Sequence, residues 1–210
     1  MATSKPRAER PGEGQGRRLK REPMSRVDTA WLRMERPTNP MMITGVMMFA
    51  EPMTRAQLKR VIQQRFLAYA RFRQKPVDGA TGAQWVEDAD FDLDWHVRLS
   101  GLPGKNNPAA EKQALERFVS QLASSPLDPT KPLWQFHLIE RYQGGSAIVA
   151  RIHHCYADGI ALVQVLLSLT DTSRESSQAS RLDKAWLKQD AAPVARRVGA
   201  VDKYMKLGGK

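Results

Sequence analysis

Two adjacent histidines, His153 and His154, are the side chains of this sequence best suited to proton transfer. They follow a mostly apolar segment over residues 148–152, interrupted by Arg151, and stand just before an Asp158-Gly159 pair. An imidazole exchanges a proton near neutral pH, so a histidine at the end of a buried strand is a candidate general base. Adjacent strand residues point to opposite faces. We therefore expect His154, nearer the strand end, to act as the base, and His153 to pack or to hold the loop.

Asp158 and Gly159 are predicted to shape the turn after the histidines. Asp158 begins a predicted helix, where its carboxylate can accept bonds from backbone N–H groups or pair with an arginine. Gly159 lets the backbone pass close to a neighbour where a side chain would intrude. Both residues are thus expected to have structural roles.

Two other chemistries fit the same segment. Cys155 stands beside the histidines and could serve as a nucleophile, although a free cysteine also packs well as a small buried residue. His153, His154 and Asp158 are all metal-ligating types, but side chains that diverge from one strand do not favour a shared ion. The expected metal is therefore none.

Hydrophobic periodicity predicts the elements that position this segment. Four helices are predicted: one after Ser25, one after Thr54, and two over residues 110–122 and 160–169. Six strands are predicted, over residues 43–50, 71–77, 84–86, 96–99, 134–142 and 146–154. The two kinds of element mix without strict alternation, which indicates an α+β fold, a mixed α/β sandwich.

Length and composition exclude several classes of protein. The 210 residues contain one cysteine, so an internal disulfide framework is excluded. No run approaches the ~18 apolar residues of a spanning helix, and the polar N-terminus does not resemble a secretory signal. We therefore expect a cytoplasmic protein.

The net charge of +11 is concentrated at the two ends of the chain. Of the 33 lysines and arginines, seven lie in residues 1–23 and nine in residues 174–210. Residues 1–24 are predicted to be a disordered basic tail and residues 172–210 a basic linker or tail. Such tails suit an anionic membrane surface, or they are simply solvated ends. A nucleic-acid partner is not expected, because no zinc-ligand spacing, RNA-binding signature or helix-turn-helix pattern occurs.

The string from His153 to Gly159 resembles the HHxxxDG motif of the CoA-dependent acyltransferase superfamily. More of the chain resembles the bacterial wax ester synthase/acyl-CoA:diacylglycerol acyltransferases within it. The resemblance runs in order over residues 25–171 and includes Ser25, Asp28, Trp31, Leu32, Glu35, residues 40–43, residues 91–97, Leu127, Asp128, residues 131–134 and residues 162–171.

This resemblance implies a chloramphenicol acetyltransferase-like lobe, with a central mixed sheet flanked by helices. His154 would be the general base, His153 and Asp158 would be structural, and Gly159 would keep the substrate channel open. Pro132, Leu133 and Trp134 would shape a substrate pocket, although Trp134 fits core packing equally well.

The implied reaction is transfer of a long-chain acyl group from acyl-CoA to diacylglycerol or a fatty alcohol, giving triacylglycerol or wax ester. Acyl-CoA is then a substrate, and no cofactor is expected. Two alternatives are a truncated, non-catalytic lobe that binds a lipid surface or a partner, and a condensation-type domain that uses carrier-bound acyl groups.

Members of this branch are about twice as long and have two similar lobes. Residues 25–171 are therefore expected to form the N-terminal lobe, with the second lobe absent. A separate second lobe or a second copy of the chain is the expected partner. The basic tails suggest a peripheral position at the inner membrane or lipid bodies.

Overall fold

The computed structural model of the chain describes residues 19–104, 107–157 and 159–170. The strands of these residues are β1 (Arg21–Pro23), β2 (Met42–Phe49), β3 (Gln74–Gly79), β4 (Gly82–Glu87), β5 (Val97–Leu99), β6 (Trp134–Tyr142) and β7 (Gly145–His153). Their α-helices are α1 (Arg26–Met34), α2 (Arg55–Val61), α3 (Leu93–His96), α4 (Pro108–Ala123) and α5 (Gly159–Leu167).

The strands form two sheets. The larger has the order β2-β7-β6-β5, in which β5 runs parallel to β6 and the other neighbours are antiparallel. The smaller sheet has the order β1-β4-β3 and is antiparallel throughout. A mixed sheet with helices around it confirms the predicted fold class.

Strand β7 is the centre of the protein, because every one of its nine residues is buried. Its alternate side chains enter two apolar clusters on opposite faces of the sheet. Ile148 and Ile152 belong to the larger cluster with Phe66 of the segment after α2, and Val149 belongs to a smaller cluster with Leu115 of α4. A strand fixed on both faces gives the histidine turn at its end a rigid support.

The predicted disordered tail, residues 1–24, is wrong at its C-terminal end. Arg21–Pro23 pairs with β4 as strand β1, and Met24 is buried beside it. Composition predicted disorder here, but strand formation depends on pairing with a distant segment, which local composition does not reveal. Residues 1–18 and 171–210 lie outside the described residues, as do the predictions made for them.

Two histidines outside the motif are buried in this fold. His96, at the end of α3, bonds through Nδ1 to the carbonyl oxygen of Trp134 at 2.7 Å, and its Nε2 is buried without a hydrogen-bond partner in the described part of the chain. Burial lowers the pKa of His96 to about 4. Burial, together with the charges of Arg151 and Arg98, lowers the pKa of His137 on β6 to about 4 as well. Both imidazoles are therefore neutral at pH 7.

The free energy of unfolding should fall as the pH drops from about 6.5 to about 4. The unfolded chain protonates His96 and His137 in this window, whereas the folded chain does not, so acid favours the unfolded state. Each histidine contributes at most about 3 kcal/mol to this loss. Urea unfolding at pH 7.0 and at pH 4.5 measures this loss of unfolding free energy. The His96→Gln variant should lose less unfolding free energy between these two pH values than the wild-type chain does. Equal unfolding free energies of the wild-type chain at both pH values would contradict this account.

Candidate active site

The histidine pair sits where β7 ends. His153 is the last residue of β7, and His154 opens a single 3₁₀ turn over His154–Tyr156. The backbone N–H of His153 donates to Leu133 O at 3.0 Å, and that of His154 donates to Met41 O at 2.8 Å. The turn is thereby tied to the segments that lead into both neighbouring strands, β6 and β2. The predicted strand ran one residue too far, because the chain turns at His154.

His153 is held inside the turn. Its ring is almost fully buried, and its Nδ1 accepts a hydrogen bond from the Cys155 N–H at 3.1 Å. Because Nδ1 is the acceptor, the neutral ring carries its proton on Nε2. Nε2 lies 3.4 Å from Glu35 Oε2. Burial lowers the pKa of His153, and the Glu35 carboxylate acts in the opposite direction.

Glu35 follows the last residue of α1 and joins three segments. Its carboxylate accepts a hydrogen bond from the backbone N–H of Met41 and also contacts His153. The end of α1, the chain leading into β2 and the end of β7 are thereby fixed to one another. A carboxylate in this position also orients the His153 ring.

His154 is more exposed than His153. Its ring stacks on the indole of Trp31 in α1, with centroids 4.2 Å apart and planes inclined by 17°. Its Nδ1 is buried and has no hydrogen-bond partner among the described residues. The two histidines therefore meet the same helix through different residues, one through stacking and the other through a carboxylate.

Cys155 is fully buried behind this turn. Burial raises the pKa of its thiol strongly, and the negative charge of Asp28 adds to the effect. The thiol is therefore protonated at neutral pH, whereas a nucleophilic cysteine must be a thiolate. The geometry favours packing for Cys155 over nucleophilic chemistry.

Cys155 should be inert to alkylation in the folded chain. We expect no measurable modification by iodoacetamide at pH 8 during a time in which the urea-unfolded chain reacts completely, because the buried thiol is both inaccessible and protonated. Intact-mass spectrometry gives the result directly, since this is the chain's only cysteine. Rapid labelling of the folded chain would show that the thiol is reactive.

Pro132, Leu133 and Trp134 lie behind the histidine turn and are all buried. Trp134 has no exposed surface, and its indole N–H donates to Phe72 O at 2.8 Å. The Leu133 N–H donates to the hydroxyl of Tyr156, at the far end of the turn, at 3.0 Å. This segment therefore braces the turn, and any effect of Trp134 on a pocket would be exerted from within the core.

The remaining predicted site residues are Asp158 and Gly159, which follow the turn in the chain. Asp158 lies outside the described residues, so its predicted role stays a prediction. Gly159 is the first residue of α5, and its predicted role in keeping the channel open stays a prediction. Within the described residues, no group of three His, Cys, Asp or Glu side chains could hold a metal ion.

A groove lies at the other end of the sheet from the histidines. It has a volume of about 950 Å³ and is lined by segments such as residues 52–54, 99–102 and 139–145. None of the predicted site residues lines it, so it is not assigned to the chemistry of the histidines.

Residues 24–209 match the family model described as the wax ester synthase/diacylglycerol acyltransferase catalytic domain. The chain belongs to this family. A putative diacylglycerol O-acyltransferase of Mycobacterium tuberculosis is 32% identical to it over 186 residues, which are 83% of this chain and 35% of the relative. A second, probable diacylglycerol O-acyltransferase of that species is 39% identical over 124 residues, 58% of this chain and 26% of the relative.

Solved structures agree with the family assignment. The wax ester synthase/diacylglycerol acyltransferase from Marinobacter aquaeolei matches with a TM-score of 0.57 and 29% identity, over 68% of this chain and 35% of that one. A starter condensation domain of rhizomide synthetase, solved with C8-CoA and Leu-SNAC, matches with a TM-score of 0.59 and 17% identity. This match covers 89% of this chain and 45% of that one. At that identity the second match shows the fold alone.

This family member spans about a third of the length of the first of these relatives. Among the described residues, no helix combines the length and the apolar character needed to cross a membrane.

Trp31 and Glu35 marked the family resemblance in the sequence but were not predicted as site residues. Their spacing of four residues on one helix face was the available signal.

Proposed function

We propose that this chain carries the general base of an acyl-CoA-dependent O-acyltransferase, and that His154 is this base. The acyl group would pass from a long-chain acyl-CoA to the hydroxyl of diacylglycerol or a fatty alcohol, giving triacylglycerol or wax ester. The observation that carries the proposal is the partly buried imidazole of His154, held at the end of a rigid strand by a stacked indole and a bonded backbone.

The proposed reaction needs one base and no covalent intermediate. The acceptor oxygen attacks the thioester carbonyl carbon while its proton passes to His154. Since Nδ1 of His154 is buried, Nε2 is the nitrogen that would receive this proton. The tetrahedral intermediate then collapses, the C–S bond breaks, and the CoA sulfur leaves and takes the proton from the imidazolium.

The surrounding residues would hold this base in place. His153, fixed by Cys155 N–H and Glu35, would support the turn, Asp158 would hold the loop, and Gly159 would keep the channel open. Pro132, Leu133 and Trp134 would define the wall of the pocket from behind. The match to the wax ester synthase/diacylglycerol acyltransferase catalytic domain supports an acyl-transfer reaction of this kind.

A second lobe or a second copy of the chain would complete the site. Apolar side chains are exposed on β2, an edge strand of the larger sheet, where Val46 is 42% and Met48 67% exposed. They are also exposed on α5, where Val163 is 55% and Leu167 64% exposed. Isolated proteins rarely leave neighbouring apolar side chains this open, so we propose that a partner lobe covers them. The basic ends of the chain would hold the assembly peripherally at the inner membrane or at lipid bodies, on the cytoplasmic side.

Acyl transfer from palmitoyl-CoA to diacylglycerol and to hexadecanol tests the proposal. The purified chain is assayed with and without a separately expressed second lobe of a full-length relative. We expect ester formation only with the second lobe, or with the chain alone if it dimerises. No ester in either assay, with both proteins folded, would favour the alternative of a non-catalytic lobe that binds a lipid surface or a partner.

A further inference from the structure

Helix α1 meets the histidine turn along a single stripe of side chains. Trp31 stacks on His154, and Glu35, four residues later, contacts His153 at 3.4 Å. Glu35 directly follows the last residue of α1, so this helix and its C-terminal cap together reach both histidines. The family match assigns neither contact, and the proposed reaction gives Trp31 no part beyond holding the ring.

The His154 ring depends on packing for its orientation. Its Nδ1 has no hydrogen-bond partner among the described residues, so no bond at this atom fixes the rotation of the ring. The indole of Trp31 lies almost parallel to the imidazole at stacking distance, which restricts that rotation. The same indole presents its electron-rich face to any positive charge that forms on the imidazole.

We propose that Trp31 is a positioning residue for His154: its stacked indole keeps Nε2 directed outward and stabilises the imidazolium formed during acyl transfer. This inference rests on the proposed role of His154 as the base. It adds a residue whose effect on the reaction is exerted through the imidazole and not through the substrate.

The helix that carries Trp31 is fixed at both ends, as a positioning role requires. At its N-terminus the Ser25 hydroxyl accepts a hydrogen bond from the Asp28 N–H at 3.0 Å. At its C-terminal end Glu35 binds the Met41 N–H and contacts His153. The indole therefore meets the imidazole from a support that is itself bonded to the histidine turn.

Three variants test the role of Trp31. Trp31→Leu removes the aromatic face and keeps an apolar side chain, whereas Trp31→Phe keeps an aromatic face. Met34→Ala, which alters an exposed residue of the same helix, is the control. In the two-lobe acyl-transfer assay we expect Trp31→Leu to lower kcat by about threefold to thirtyfold, the range of a cation–π contact. KM should change by less than about twofold. Trp31→Phe should retain most of the activity, and Met34→Ala all of it.

The pH profile separates this role from a purely structural one. Without the indole the imidazolium is less stable, so the acid limb of the kcat/KM profile should move to lower pH in Trp31→Leu. A structural defect would reduce the active fraction and leave the limb in place. Equal loss of kcat in the leucine and phenylalanine variants, with no movement of the limb, would overturn the proposal.

An NMR measurement on the chain keeps the test independent of turnover. The ring protons of His154, assigned by their absence in His154→Ala, should be shifted upfield by the indole and should return to ordinary positions in Trp31→Leu. Unchanged positions would overturn the stacking itself. Full activity of His154→Ala would instead refute the proposed base, whatever the spectra of the Trp31 variants show.

Discussion

Replacing His154 with alanine should lower kcat for acyl transfer by a factor of about 10²–10⁴, the contribution typical of one general base. The thioester is already activated by its thiol leaving group, so deprotonation of the acceptor hydroxyl is the step that requires a catalytic base. The ring is partly buried and stacks on one indole, so the unfolding free energy should change by only about 1 kcal/mol. Product formation from palmitoyl-CoA and hexadecanol, with the second lobe present, measures the loss.

His137→Gln is the matched control for this substitution. His137 lies on β6 and faces α4, away from the histidine turn, with its Nδ1 3.4 Å from the Ser100 hydroxyl. Provided that the variant folds, we expect kcat within about twofold of the wild-type value. A His154→Ala variant that is as active as this control would show that another group takes the proton.

Replacing Trp134 with alanine should lower the unfolding free energy by about 3–5 kcal/mol. The indole has no exposed surface, stacks on His96 with centroids 4.1 Å apart and lies 4.8 Å from the ring of Phe66. Truncation leaves a cavity in the larger core cluster and removes the hydrogen bond to Phe72 O. This loss is a large fraction of the 5–15 kcal/mol that typically stabilises a domain.

Urea unfolding distinguishes the core role of Trp134 from a pocket role. Leu99→Ala, an exposed position on β5, serves as the control and should shift the unfolding free energy by less than about 0.5 kcal/mol. If Trp134→Ala were as stable as this control and raised KM for acyl-CoA, the indole would belong to a substrate pocket and not to the core.

The sequence pattern predicts the centre of this fold well. β6 begins and ends where the strand predicted over residues 134–142 does, and the predicted strand before the histidines differs from β7 by one residue at each end. Both strands are long and mostly buried, so local hydrophobicity and tertiary position agree. Such agreement is the condition under which single-sequence patterns work.

The features that the sequence did not predict depend on distant contacts. Strand β1 exists through its pairing with β4, and the helix predicted after Thr54 changes at Ile62 into a π-helical turn that buries Phe66. The stack of Trp31 on His154 joins residues more than a hundred positions apart. Periodicity identifies the buried face of a helix but not the element that the face will meet.

Chemical rescue of His154→Ala by imidazole tests the central claim most directly. If His154 only accepts and returns a proton, a free imidazole that enters the space left by the ring can do the same. In the two-lobe assay we predict that added imidazole raises ester formation by His154→Ala in proportion to its concentration and leaves the wild-type rate unchanged. Equal stimulation of both proteins, or wild-type activity of the variant without imidazole, would contradict the assignment of His154 as the base.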